Sequence, residues 1–179
     1  MQMGRLRHRL RKISHLHERL NFRSSAFPLC PPHPQSGKPF PVTKDSHSVE
    51  QTEDIAADFA RHLSPNSTLA LHGNLGAGKT QFVRGLLIGL GGNPRTVSSP
   101  TYVLLNIYHT GRLPLYHLDA YRITTPDDFE SVGFTELLDQ GGIVAVEWPS
   151  KVTDLLPQNT IQIQIETLDE STRRITISD

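Results

Sequence analysis

One octapeptide constrains this chain more than any other feature: Gly73-Asn74-Leu75-Gly76-Ala77-Gly78-Lys79-Thr80 fits the pattern G-x-x-x-x-G-K-[ST] without a mismatch. Such a loop needs a strand to deliver the chain and a helix to carry it away. Its glycines permit torsions that turn several backbone N–H groups inward as an anion nest. The positive end of the helix adds to that attraction. A lysine at position 79 then reaches the β- and γ-phosphates, and a threonine at 80 offers a hydroxyl to Mg²⁺. The flanks meet these demands. Thr68-Leu69-Ala70-Leu71 reads as a short buried strand, and a helix is expected from the loop to about Leu90, ended by Gly91-Gly92. A nucleoside triphosphate and Mg²⁺ are the expected ligands.

The elements around this junction alternate. Ser48 precedes a helical pattern whose apolar residues Ile55, Phe59 and Leu63 recur at a spacing of four, with Ser48 or Thr52 as its cap and Ser64-Pro65-Asn66 as its stop. Strands are expected at about Tyr102–Tyr108 and Leu113–Leu118, divided by His109-Thr110-Gly111-Arg112. Thr125–Leu138 reads as a helix, with Pro126 in its first turn and Asp127, Asp128 and Glu130 matching its dipole. Ile143-Val144-Ala145-Val146 is a continuous apolar run typical of a strand covered on both faces. Thr160–Leu168 and Arg173–Ile177 alternate around Asp169-Glu170-Ser171 as a hairpin. The expected fold class is α/β: one phosphate-loop NTPase-like domain over 45–179, with a central mixed, mostly parallel sheet flanked by helices and a C-terminal β-hairpin. No internal repeat is present.

Charge divides the chain where this pattern begins. Residues 1–44 carry nine Lys/Arg against one acid, Glu18, a balance of +8, whereas residues 45–179 carry nine against seventeen, a balance of −8. The basic segment ends in a proline-dense stretch, Pro28, Pro31, Pro32, Pro34, Pro39 and Pro41, of the composition expected for an extended linker. Three readings of 1–44 stay open: a disordered extension with no specific task, an Arg-rich and acid-poor transit peptide, or a basic arm that touches nucleic acid. No apolar run approaches the roughly 18 residues of a membrane span. A single cysteine, Cys30, rules out an internal disulfide and suits a reducing compartment. The expected location is cytoplasmic, or organellar if the extension is a transit peptide.

A phosphate loop needs an acid at the end of a neighbouring strand to hold the metal or orient water. Asp119 ends Leu113-Pro114-Leu115-Tyr116-His117-Leu118, and Glu147 ends the apolar run 143–146. Both sit where a buried strand reaches the ligand-binding edge of an α/β sheet. Each also reads simply as the point where a strand meets solvent, and the residues alone leave open which one takes the metal. Ser98-Ser99-Pro100-Thr101-Tyr102 lies about twenty residues past the loop, where switch-like segments supply a hydroxyl near a γ-phosphate. A polar turn before a strand is the plainer reading. Trp148, the only tryptophan, is equally readable as a stacking residue or as core filler, and the histidines form no ligand set.

Taken in order, Gly73–Thr80 (GNLGAGKT), Ser99–Tyr102 (SPTY), His117–Arg122 (HLDAYR) and Glu147–Pro149 (EWP) resemble the TsaE (YjeE-like) ATPase family over about Ser48–Ile177, some three-quarters of the chain. The resemblance implies a weak Mg²⁺-dependent ATPase that works with TsaB and TsaD to attach threonylcarbamoyl to adenosine 37 of tRNAs reading ANN codons. It further implies Thr80 and Glu147 as Mg²⁺ ligands and Asp119, also of the metal set, as a Walker B-like acid needed for hydrolysis. Lys79, Asp119 and Glu147 would be the catalytic set. Gly73, Gly76, Ala77, Gly78, Lys79, Thr80 and Gln81 would wrap the phosphates, with Thr101 near them and Thr52 a looser nucleotide contact. The basic extension departs from the family pattern. Two other functions stay open. A small-molecule kinase would need a lid of arginines, and past the loop helix only Arg95, Arg112, Arg122, Arg173 and Arg174 are present. A nucleic-acid-binding module would act through the extension alone.

Overall fold

The computed structural model describes residues 41–179, so the open readings of the basic segment and of Cys30 lie outside the described residues. The sheet has seven strands: β1 (Val42–Ser46), β2 (Thr68–His72), β3 (Leu105–Tyr108), β4 (Leu115–Asp119), β5 (Ile143–Glu147), β6 (Ile161–Thr167) and β7 (Arg173–Ser178). Their spatial order is β1-β7-β6-β2-β5-β4-β3. The centre is parallel, through the pairs β6–β2, β2–β5 and β5–β4. Both edges are antiparallel, through β1–β7, β7–β6 and β3–β4. The α/β fold and the C-terminal hairpin agree with expectation. The strand that feeds the glycine loop, β2, occupies the middle of the sheet.

The edge strand β1 starts ahead of the expected boundary at residue 45. Its sequence, Val-Thr-Lys-Asp-Ser, carries a single apolar residue and gives no alternating signal. Its partner β7 lies far along the chain, where Asp45 sits opposite Arg174 and accepts from its Nε at 2.9 Å and from a terminal nitrogen at 3.0 Å. Other boundaries moved for local reasons. The expected helix 125–138 is two short ones, α3 (Pro126–Glu130) and α4 (Phe134–Leu138), separated at Gly133, whose φ of 82° is left-handed. Thr125 and Asp128 close a reciprocal capping box at the start of α3. The strand expected from Tyr102 begins only at Leu105. Before it, Leu104 takes a φ of 64° in a turn whose amides at Val103 and Leu104 both donate to Pro100 O.

Two helices cover the face of the sheet that carries Leu69, Leu71, Leu115, Ile143, Ile163 and Ile165, all buried. They are α1 (Val49–Ala60), capped by the Ser48 hydroxyl, and α2 (Lys79–Gly89). The opposite face carries Ala70, Val144 and Val146, also buried, with α4 against β5. The apolar stripe of α1 is wider than the expected one: of Ile55, Phe59 and Leu63, Leu63 is buried and the other two pack partly covered against the core, while Thr52, Ala56, Ala57 and Ala60 are the buried residues of the helix itself. Small residues are required because the two helix backbones nearly touch. A Cβ on Gly85 would lie 2.2 Å from Glu53 O and 2.7 Å from Ala56 Cβ, and one on Gly89 would lie 2.2 Å from Ala57 O. Among the described residues, no helix is long and apolar enough to cross a membrane.

The hairpin turn rests on Asp169, whose Oδ1 accepts from the amides of Ser171 (2.9 Å) and Thr172 (2.7 Å). Those bonds favour the carboxylate and lower its pKa to about 2 from 3.8. An acid held lower in the folded state contributes fully above its ordinary value and loses that contribution as pH falls through the depressed one. Thermal melts should therefore show Asp169→Ala less stable than the parent at neutral pH, with the gap closing as pH drops from 3.8 toward about 2. A second expectation concerns the helix contact. Alanine in place of a helical glycine ordinarily stabilises by up to about 1 kcal/mol, but here the added methyl meets a backbone carbonyl. Gly85→Ala and Gly89→Ala should each destabilise by roughly 1–3 kcal/mol in denaturant unfolding.

Candidate functional site

At the carboxyl edge of the sheet β2 turns through Gly73, Gly76 and Gly78, with φ values of 146°, 78° and 109°. All three lie in the region that side chains avoid. Gly73 is fixed further by crowding, since a Cβ there would come within 2.6 Å of Ile165 O. Gly78 is the cap of α2 and supplies no side-chain acceptor, so the first amides of the helix are left for an outside anion. The sequence requirement of strand, glycine loop and helix is met.

Lys79 opens the helix, yet its side chain folds back. Nζ donates to Gly73 O at 2.7 Å and Asn74 O at 2.9 Å, and it stands 3.8 Å from the centroid of the Trp148 ring. Burial pushes the amine below its ordinary pKa, opposed by the nearby carboxylates of Glu147 and Asp119. Trp148 itself adopts a left-handed backbone, φ 58°, uncommon for a bulky residue and costly unless its surroundings enforce it. The lone tryptophan is thus a site residue and not core filler.

The two acids meet through strand register. Asp119 ends β4, Glu147 ends β5, and the parallel pairing sets them directly opposite one another. Both are buried. Glu147 Oε1 accepts from Thr80 Oγ1 at 2.9 Å and from His117 Nε2 at 2.8 Å. Asp119 Oδ2 accepts from Thr101 Oγ1 at 2.5 Å, and its Oδ1 from the Tyr121 amide at 2.8 Å. The segment around Thr101 is footed on β3: Tyr108 Oη donates to Ser98 O at 3.2 Å and Asn106 Nδ2 to the same oxygen at 3.0 Å. Its tip, Tyr102 and Val103, is exposed, with the Arg122 guanidinium 4.4 Å from the Tyr102 ring centroid.

A cleft of about 240 Å³ therefore gathers Gly76, Gly78, Lys79, Thr80, Gln81, Thr101, Asp119 and Glu147, with Trp148 as one wall. Thr52 and Ala77 face a separate cleft on the outer side of the loop, which shares Gly76, Gly78 and Gln81 and is closed by Glu170 and Arg173 of the hairpin. The Thr52 hydroxyl is turned inward to Ser46 Oγ (2.8 Å), so any nucleotide contact it makes is through position and not through a free hydroxyl. Gly73 borders a third hollow beside Asn74 and Trp148.

The donor set fits a hard cation. Thr80, Asp119 and Glu147 offer only oxygen, and Thr80 gives its hydrogen to Glu147, which leaves the hydroxyl lone pairs available. Among the described residues no group of three or more His, Cys, Asp or Glu forms a cage. An ion held here would complete its shell with water and phosphate oxygens, as Mg²⁺ commonly does. One residue of the site, His117, stands in the HLDAYR motif but has no role in the sequence reading. The signal was present in the strand alternation, which sets residues 117 and 119 on the same face of β4.

Comparison with known proteins agrees with this layout. Residues 46–175 match the model of the family described as threonylcarbamoyl adenosine biosynthesis protein TsaE. The tRNA threonylcarbamoyladenosine biosynthesis protein TsaE of Treponema pallidum is 39% identical over 133 residues, 74% of this chain and 97% of that protein. The protein of the same name from Bacillus subtilis is 40% identical over 129 residues, 72% of this chain and 80% of its own length. The crystal structure of Bacillus subtilis YdiB superposes with a TM-score of 0.61 at 31% identity, covering 77% of this chain and 84% of that one. With a family match over most of its length and relatives at this level of identity, the chain belongs to the TsaE family.

Proposed function

We propose that this protein is a slow Mg²⁺-dependent ATPase that serves threonylcarbamoylation of adenosine 37 in tRNAs reading ANN codons, acting with TsaB and TsaD. The observation that carries the chemical part is the single cleft in which the open amides of α2, Lys79, Thr80, Asp119 and Glu147 converge. The relatives' names, with the resemblance of the motifs, supply the pathway.

The open amides at the start of α2 would hold the β- and γ-phosphates, with Lys79 turning from the carbonyls of Gly73 and Asn74 to phosphate oxygens. Thr80 and Glu147, with Asp119 beside them, would hold Mg²⁺, which when bound neutralises charge on the phosphates. Asp119 is set to orient the attacking water once Thr101 releases its Oδ2. That release is also a switch. The exposed tip at Tyr102 and Val103 hangs on the same segment, so the occupant of the cleft biases the surface offered to the TsaB–TsaD complex. The outer cleft beside Thr52 is the place for the nucleoside end of ATP. Two of the five arginines that a kinase lid could draw on are engaged elsewhere: Arg112 on the carbonyls of Ala60 and Leu63, and Arg174 on Asp45.

Nucleotide binding can be followed by the fluorescence of the single tryptophan. Lys79→Ala should abolish ATP binding, while Asp119→Asn should lower turnover by roughly a hundredfold or more with affinity changed only a few-fold. Hydrolysis unaltered in both variants would remove this cleft from consideration. Co-purification with TsaB and TsaD should depend on ATP, and association indifferent to nucleotide would contradict the switch.

A further inference from the structure

We propose that His117 is a positioning residue for the metal-binding carboxylate: by donating from Nε2 to Oε1 of Glu147 it holds that side chain against Thr80 and leaves the second oxygen for the cation. The proposal rests on the reading of Glu147 as a metal ligand given above and names a residue that reading does not require.

The imidazole is fully buried and Glu147 nearly so, and their 2.8 Å bond is shielded from water. A carboxylate oxygen only accepts, so the hydrogen is on Nε2. The other ring nitrogen, Nδ1, is buried without a partner. A histidine retained for packing alone leaves that nitrogen unmet at a cost that an apolar residue of similar size would avoid. The ring is placed by the sheet. Its register partner on β5 is Ala145, whose small side chain leaves the diagonal open to Glu147 two residues on. On the edge side the Tyr108 ring packs against it at 6.3 Å between centroids. Thr80 and His117 both bond Oε1, and among the described residues nothing bonds Oε2. The carboxylate is thereby pinned from two elements, α2 and β4, at one oxygen. Partners of this kind fix the orientation of a metal-bound carboxylate, and their loss typically costs 10–100-fold in metal affinity.

The test uses the whole protein saturated with the β,γ-imido analogue of ATP and titrated with Mn²⁺ under electron paramagnetic resonance. Affinity for the analogue in EDTA, read from Trp148 fluorescence, serves as the control. His117→Phe keeps a ring and removes the donor, and should weaken Mn²⁺ binding about tenfold or more while metal-free affinity stays within about twofold. His117→Gln keeps a donor near Nε2 and should restore most of the Mn²⁺ affinity. Parental Mn²⁺ binding in His117→Phe, together with its loss in Glu147→Gln, would overturn the positioning role and leave the metal site standing. An equal fall of metal-free and metal-dependent affinity in both His117 variants would mark the ring as structural and overturn the proposal as well. Should Glu147→Gln itself bind Mn²⁺ normally, the metal site and the role of His117 fall together.

Discussion

The parallel pairing of β4 with β5 sets Asp119 across from Glu147, and the hydroxyl of Thr80 joins Glu147 to the first turn of α2. Three elements that are distant in sequence meet at that bond. Residues 80, 119 and 147 are brought to one edge because parallel strands all end on the same side of the sheet, which is where α/β proteins bind ligands. Remove the register and the acids separate, so the chemistry depends on main-chain pairing before it depends on any side chain. The buried strands β2 (all but His72), β4 and β5 secure that pairing, and the near-contact at Gly85 and Gly89 sets α2 closely against α1.

Several features of the site are unfavourable for folding. Lys79 is buried against the carbonyls of its own loop, Trp148 holds a left-handed backbone, and both acids are nearly inaccessible to water. Surroundings that over-determine the local conformation are needed to sustain such states. Here Pro149 follows Trp148, Ile165 crowds Gly73, and Thr101 and His117 hydrogen-bond the acids. In the proposed function a polyphosphate would relieve part of this cost, since it would give Lys79 and the open amides of α2 a partner of opposite charge. Thr101 is the adjustable member. It sits on a segment footed by Tyr108 and Asn106 but exposed at its tip, so in the proposed switch a change at Asp119 would reach the surface over a short path.

Much of this was legible in the residues. The octapeptide specified its own junction, the apolar run 143–146 specified a strand buried on both faces, and the acids at 119 and 147 followed from strand ends. What local pattern did not contain was pairing at a distance. The strand β1 has one apolar residue and exists because β7 meets it, so it started ahead of the expected boundary. One helix was expected where Gly133 divides two, because its left-handed torsion outweighs the helical pattern around it. On α1 the spacing pointed to Ile55, Phe59 and Leu63, which do face the core, but not to the alanines that the closeness of the α2 backbone selects beside them. The histidines form no ligand set in sequence, and the part His117 plays lies in a diagonal contact with Glu147 on another strand, which local pattern does not contain.

The central claim is that the inward amides and Lys79 at this strand–helix junction grip a triphosphate with its metal. Isothermal calorimetry of the purified protein with ATP and ADP, with and without Mg²⁺, tests it most directly. Saturable one-site binding, tighter for ATP when Mg²⁺ is present, is the predicted result. A protein that takes up no heat with either nucleotide in the presence of Mg²⁺ would contradict the account.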